Sequence, residues 1–188
     1  MRIVGGKHKG RRLIAPAGRD TRPSTDRTRE ALFNILSHGD FAGPQGPAPR
    51  GMAVLDVFAG SGALGLEALS RGAARVTFIE RGAGAIRAIE DNLAQLDDTG
   101  QADILPIDAR RPGPAPARFD LVLMDPPYRA GLAEPCLTVL ARDGWLAPAA
   151  LAVVELAAKE AFEPPNGFDR LDRRRYGAAA LVFLRWVD

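Results

Sequence analysis

The chain has 188 residues, 46% of them hydrophobic, with 25 Lys and Arg against 23 Asp and Glu. That length can bury the core of a single domain, and the lone Cys136 excludes an internal disulfide. No apolar run approaches membrane-spanning length, and "MRIVGGKHKGRR" lacks the apolar core of a secretory signal, so a cytoplasmic protein with no membrane partner is expected.

The near balance of charge hides an asymmetry. Up to residue 30, nine basic residues face only Asp20, Asp26 and Glu30, a local excess of +6 that leaves −4 for the rest. Such an arm points to a polyanionic partner, or else to a solvated charged face. Within it, "MRIVGGKHKGRRLIAP" has two short apolar pieces around a Gly-rich basic turn, the pattern of a β-hairpin. A helix follows in "TRPSTDRTREALFNILSHG", capped by Ser24, Thr25 or Asp26, with Ala31, Leu32, Ile35 and Leu36 as its apolar stripe and Gly39 at its end. Residues 1–40 are read as a hairpin-and-helix extension, 41–51 as a Gly/Pro linker, and 52–188 as the catalytic domain.

From Ala53 onward strands and helices alternate. Strands are expected at "MAVLDVF", "RVTFIE", "ADILPID", "FDLVLMD" and "ALAVVEL", with helices over Ala63–Ser70, Ala83–Leu96 and Leu132–Ala141. This order predicts a doubly wound, mostly parallel α/β sheet. The final "FDRLDRRRYGAAALVFLRWVD" reads as two strands about a Tyr-Gly turn, hence an antiparallel hairpin on that sheet.

Gly60, Gly62 and Gly65 in "FAGSGALG" have G-x-G-x-x-G spacing between a strand and a helix, where glycine lets the backbone approach a ligand closely. Asp56 ends the first strand, and Glu80 ends the second, where an acid can accept from ribose hydroxyls. Asp108 ends the third and is a candidate acceptor for an adenine amine, though such acids also form turns. Three acids on one edge suit a cationic ligand bearing adenosine better than a pyrophosphate, and S-adenosylmethionine is such a ligand. Phe58 and Ala109 complete the candidate cofactor-binding set.

In "DPPY", the apolar strand stops at Pro126, so Asp125 stands at its carboxyl end, and two prolines stiffen the turn that carries Tyr128. The exocyclic amine of a purine is planar and weakly nucleophilic. Asp125 and the Pro126 carbonyl can each accept one of its N–H groups, while Tyr128 offers a face for the extruded base. Asp125, Pro126, Pro127 and Tyr128 are therefore the candidate catalytic residues, and no metal is required. Cys136 is read as a small core residue, and His8 and His38 as surface residues without metal-ligand companions.

Together, "DVFAGSGALGLEALSRGA", "FIE", "DPPY", "MRIVGGKHKGRRL" and "TRPSTDRTREALFNIL" resemble, nearly end to end, the bacterial RsmD family. That resemblance implies a class I, Rossmann-like methyltransferase with a seven-stranded sheet and an antiparallel last strand. It implies transfer of a methyl group from S-adenosylmethionine to the N2 amine of one guanine in 16S ribosomal RNA. The substrate would be the RNA, within the small subunit or an assembly intermediate, with no obligate protein partner. Lys7, Lys9, Arg11 and Arg12, with Arg22, Arg27 and Arg29, are the candidate RNA contacts, although Arg22 to Arg29 can equally brace the core. "RRRYG" at 173–177 is a second basic patch or a solvated turn. Three alternatives remain: an adenine-N6 methyltransferase, for which the chain lacks room for a target-recognition domain; an inactive RNA-binding assembly factor; and a nicotinamide oxidoreductase, which leaves "DPPY" unexplained.

Overall fold

The computed structural model describes residues 1–16, 26–39, 41–43 and 46–187. Helix α1 spans Asp26–His38, and a short ribbon joins β1 (Ala42–Gly43) to β2 (Gly46–Pro47). The main sheet has β3 (Ala53–Val57), β4 (Arg75–Ile79), β5 (Ala102–Leu105), β6 (Phe119–Met124), β7 (Leu146–Ala157), β8 (Phe168–Tyr176) and β9 (Ala179–Trp186). Helices α2 (Ala63–Ser70), α3 (Ala83–Leu96) and α4 (Ala133–Arg142) connect the parallel strands.

The strand order is β5-β4-β3-β6-β7-β9-β8. Strands β3 to β7 pair in parallel, and β9 runs against both of its neighbours. The seven-stranded sheet with its antiparallel last strand is therefore as expected. Because β4 and β5 lie on one side of β3 and β6 on the other, the strand order reverses between β3 and β6. Open sheets of this kind bind ligands at the carboxyl ends of the strands around that point.

Alternation along the strands fills two cores. Val54, Val76, Phe78, Leu121 and Leu123 face one side, with α1, α2 and α3; Leu55, Val57, Ile79, Val122 and Met124 face the other, with α4. Burial on both faces accounts for the near-continuous apolar runs of β3 and β6. Strand β7 begins four residues earlier than "ALAVVEL" suggests, because Leu146 pairs with Phe119 before an irregular stretch containing Pro148 and Ala149 (φ 57°). A register break accommodates the proline.

The N-terminal hairpin forms as a single antiparallel bridge, Arg2 with Arg12, flanked by hydrogen bonds such as Ile3 N to Arg11 O at 2.9 Å. Its Ile3 and Leu13 join the first core, as do Leu32, Phe33, Ile35 and Leu36 of α1. Phe33 belongs to the apolar stripe, and Ala31 is only half-buried. Ser24 and Thr25 lie outside the described residues. The described residues of segment 41–51 are packed rather than loose: Phe41 stacks on Phe183 with centroids 5.5 Å apart, and Ala48 is buried. Its composition suggested a linker, but these two apolar side chains pin it to the sheet.

Candidate active site

A cavity of about 800 Å³ opens at the carboxyl edge, lined by Asp56 of β3 and Phe58 just after it, by Gly60 and Ser61 of the glycine loop, and by Glu80 directly after β4. Asp108, Ala109, Arg81 and Arg110 form one wall, and Asp125, Pro126, Pro127 and Tyr128 another. The two candidate sets therefore share one cavity. Met1, Ala15 and Pro16 of the N-terminal segment also line it, a contribution that the sequence reading did not anticipate because it is purely tertiary.

The glycine loop is held by two carboxylates. Glu80 accepts from Gly60 N at 2.9 Å through Oε2, and from Arg81 N and Gly82 N at 2.9 and 2.7 Å through Oε1. Asp56 accepts from Gly65 N at 2.8 Å. Gly60 (φ 58°) lies against open space, so its backbone is accessible to a ligand. Gly62 and Gly65 do not line the cavity. A Cβ on Gly65 would sit 2.3 Å from Phe78, so this glycine permits close packing of α2 on β4. Phe58 adopts φ 61°, a strained conformation for a non-glycine residue at the start of the loop.

Asp56 is buried, and its carboxyl is held well above the usual carboxylate range by burial, with further contributions from the neighbouring charges of Asp125 and Glu80. Three acids converging on one cavity make it suited to a positive ligand. Asp108 behaves differently. Its oxygens accept from Arg110 Nε and Nη2 and from Arg81 Nη1, at distances from 2.6 to 3.2 Å. These hydrogen bonds, led by Arg110, hold its carboxyl well below the usual range. Asp108 is thus engaged by two cations at the rim, a pairing that spacing alone does not reveal.

In the turn after β6, Asp125 N approaches Val57 O at 3.4 Å, across the strand-order reversal. Pro127 O accepts from Ala130 N at 3.3 Å, closing the turn. Among the described residues, none donates a hydrogen bond to the Pro126 carbonyl. Tyr128 is 41% exposed, and its hydroxyl donates to Oε1 of Glu155 on β7 at 2.8 Å. Glu155 was not among the candidate residues, since nothing in "ALAVVEL" distinguishes it from a solvated strand end. Cys136 is fully buried, and burial pushes its thiol up to about 11, in keeping with a core role.

The basic arm divides. Lys7 Nζ and His8 Nε2 meet opposite oxygens of Asp98 at 2.5 and 2.8 Å, and Asp98 is 2% exposed. His8 is therefore a half-buried anchor on Asp98 rather than a free surface residue; His38 is exposed. Lys7 N also donates to Ser70 O at the end of α2 farther from the cavity. The hairpin tip consequently points away from the site by the length of α2, roughly 12 Å for its eight residues. Lys9, Arg11, Arg12 and Arg27 are exposed, and Arg22 lies outside the described residues. Arg29 is fully buried and donates to Asp26 and to the carbonyl of Arg2, so it braces the extension. Among the described residues, no His, Cys, Asp and Glu cluster could hold a metal ion, and no helix is long and apolar enough to cross a membrane.

The sequence family described as Conserved hypothetical protein 95 matches residues 1–185. "Ribosomal RNA small subunit methyltransferase D" of Escherichia coli is 42% identical over 156 residues, covering 82% of this chain and 74% of its own. The protein of that name from Haemophilus influenzae is 34% identical over 181 residues, covering 94% and 89%. The solved structure of Escherichia coli yhhF superposes with a TM-score of 0.84 at 36% identity, over 100% of this chain and 98% of that one. The chain belongs to the Conserved hypothetical protein 95 family, the RsmD family of methyltransferases.

Proposed function

We propose that the protein transfers a methyl group from S-adenosylmethionine to the exocyclic N2 amine of a guanine in 16S ribosomal RNA, naked or within an assembling small subunit. The observation that carries this reading is that Asp125 and Tyr128 face the same cavity as Asp56, Gly60 and Glu80. The names of the relatives agree with it.

The cavity fits the cofactor on its own terms. The bare backbone at Gly60, the two-oxygen carboxylate of Glu80 and the buried Asp56, whose ionised form a cation would favour, suit a loop-bound, cationic nucleoside. Glu80 would hold the ribose hydroxyls with its remaining lone pairs, and the buried Ala109 would border the adenine. Asp108, already paired with Arg110 and Arg81, would hold that edge in shape rather than grip the base alone. When bound, S-adenosylmethionine supplies an electrophilic methyl group on a sulfonium.

The protein's part is acceptor chemistry and alignment. Asp125 and the Pro126 carbonyl each accept one N–H of the amine, which pulls its nitrogen toward tetrahedral geometry and frees the lone pair. Tyr128 holds the extruded base by stacking, with its ring fixed at the hydroxyl end by Glu155. Asp125 then takes the proton that the amine releases as the N–C bond forms and the S–C bond breaks.

The test is to offer tritiated S-adenosylmethionine with 16S RNA, small subunits and duplex DNA, followed by nucleoside analysis. Label in N2-methylguanosine from the ribosomal substrates is expected. Label in N6-methyladenosine, or none in the presence of bound cofactor, contradicts the reading.

A further inference from the structure

The basic hairpin tip faces away from the cavity, and the cofactor half of the edge is β5-β4-β3. A nucleotide stacked on Tyr128 has the other half, β6-β7-β9-β8, on the side away from the cofactor loop. The outermost strand of that half is β8, "FDRLDRRRY". Its carboxyl end lies on the cavity edge, because Tyr176 pairs with Ala179, and Ala179 pairs with Ala157 at the carboxyl end of β7.

A register shift between Arg170 and Asp172 rearranges the charges on β8. Arg170, Arg173 and Arg175 pair with Leu184, Val182 and Ala180, which alternate onto one face of the sheet. Val182 and Leu184 belong to the core on the α4 side. Asp172 pairs with Phe183, in the core on the opposite side. Without the shift, Arg170 would share the face of Asp172 and Arg174. The result is three arginines in line, two residues apart in register, or roughly 7 Å between neighbours. Charged side chains on an edge strand guard against edge-to-edge pairing. That role explains their presence but not their gathering on one face, where they repel one another.

This row is tied to the catalytic turn. Arg173 Nη2 donates to the Glu160 carbonyl at 2.7 Å, and Glu160 Oε2 accepts from the backbone N–H of Arg129, the residue after Tyr128, at 3.2 Å. Arg170 and Arg175 are exposed. A row of cations with a near-phosphate spacing, running from the catalytic edge along an uncovered strand, fits a nucleic-acid backbone.

We propose that Arg170, Arg173 and Arg175 bind successive phosphates of the RNA strand flanking the target nucleotide. This rests on the RNA-methylation reading above. The test compares the parent with Arg170→Ala/Arg175→Ala, sparing Arg173 because it anchors Glu160. Methyl transfer to naked 16S RNA and to small subunits is measured across salt concentrations, with cofactor affinity and thermal midpoint as controls. The double variant should raise the RNA KM about tenfold and lower the slope of log affinity against log salt by roughly 1.4–1.8, two phosphate contacts' worth. Its kcat and cofactor affinity should stay at the parent's values, and Arg170→Lys/Arg175→Lys should restore most of the binding. An unchanged KM and slope overturn the proposal while leaving the activity standing. A loss confined to assembled subunits overturns it in favour of a protein contact. A parent that transfers no methyl group to either substrate overturns both readings.

Discussion

The hydroxyl of Tyr128 donates to Oε1 of Glu155 across 2.8 Å, tying the exposed ring of the β6 turn to a carboxylate that β7 keeps 2% exposed. A ring fixed at its far end loses little freedom when a base stacks on it, so on the proposed reading this contact would preorganise the base platform. Tyr128→Phe should retain the ring and remain active, but lose about 1–2 kcal/mol of stability in urea titration. Glu155→Gln, which keeps an acceptor, should lie near the parent. Tyr128→Ala should further weaken RNA binding by roughly 1–3 kcal/mol through the lost stack. An unchanged urea midpoint for Tyr128→Phe would show that the hydroxyl contributes nothing.

Glu80 supports both the loop and, on the present reading, the ribose. Glu80→Ala should weaken S-adenosylmethionine binding by roughly 1.5–3 kcal/mol, the range for hydrogen bonds to a charged acceptor. Calorimetry on the purified variant measures this directly, and undiminished affinity would remove Glu80 from the cofactor site.

On the proposed reading, Asp56 should make cofactor binding depend on pH. Its folded pKa is raised above the ordinary 3.8 by burial, and then by Asp125 and Glu80. Between those two values the folded state holds the extra proton, so this group's contribution to the stability of the unliganded protein falls as pH rises. A cationic ligand favours the ionised carboxylate. The affinity for S-adenosylmethionine relative to its neutral-sulfur product should therefore increase as pH rises through this interval. A ratio independent of pH, from calorimetry in buffers of differing ionisation heat, would exclude Asp56 from sensing the sulfonium.

The hairpin's cations should separate into two classes. Lys7→Ala removes a partner of the buried Asp98 and should lower the thermal midpoint. Replacing the exposed Lys9, Arg11 and Arg12 by Ala should leave the midpoint in place and flatten the salt dependence of RNA binding. Equal salt slopes for parent and triple variant would place the footprint away from the hairpin.

The fold was legible where periodicity carries it. The doubly buried runs of β3 and β6, and the stripe of α3 through Ala85, Ala88, Ile89, Asn92, Leu93 and Leu96, state their own secondary structure. The acids at the strand ends were legible for a related reason, since a strand followed by a glycine loop or by Pro126 fixes where the carboxylate must stand. Partners distant in sequence were not legible. Asp98 lies 90 residues from His8, and Glu155 lies 27 from Tyr128, and no local pattern links either pair. For the same reason Asn92, which bonds Ile14 N and O and Ser61 O, reads in sequence as an ordinary helix residue. In the fold it fastens the N-terminal segment beside the glycine loop.

The role of Asp125 as the amine's acceptor is tested most directly by the single-turnover rate of Asp125→Ala, with tritiated S-adenosylmethionine and saturating 16S RNA. Loss of an acceptor used chiefly in the transition state should lower the rate by roughly 10²–10⁴-fold while cofactor affinity is largely retained. Asp125→Asn keeps an accepting oxygen without the charge or the proton-accepting capacity, and its rate should fall between those of the parent and the alanine variant. A rate for Asp125→Ala equal to the parent's, in protein shown by its thermal midpoint to be folded, would contradict the assignment.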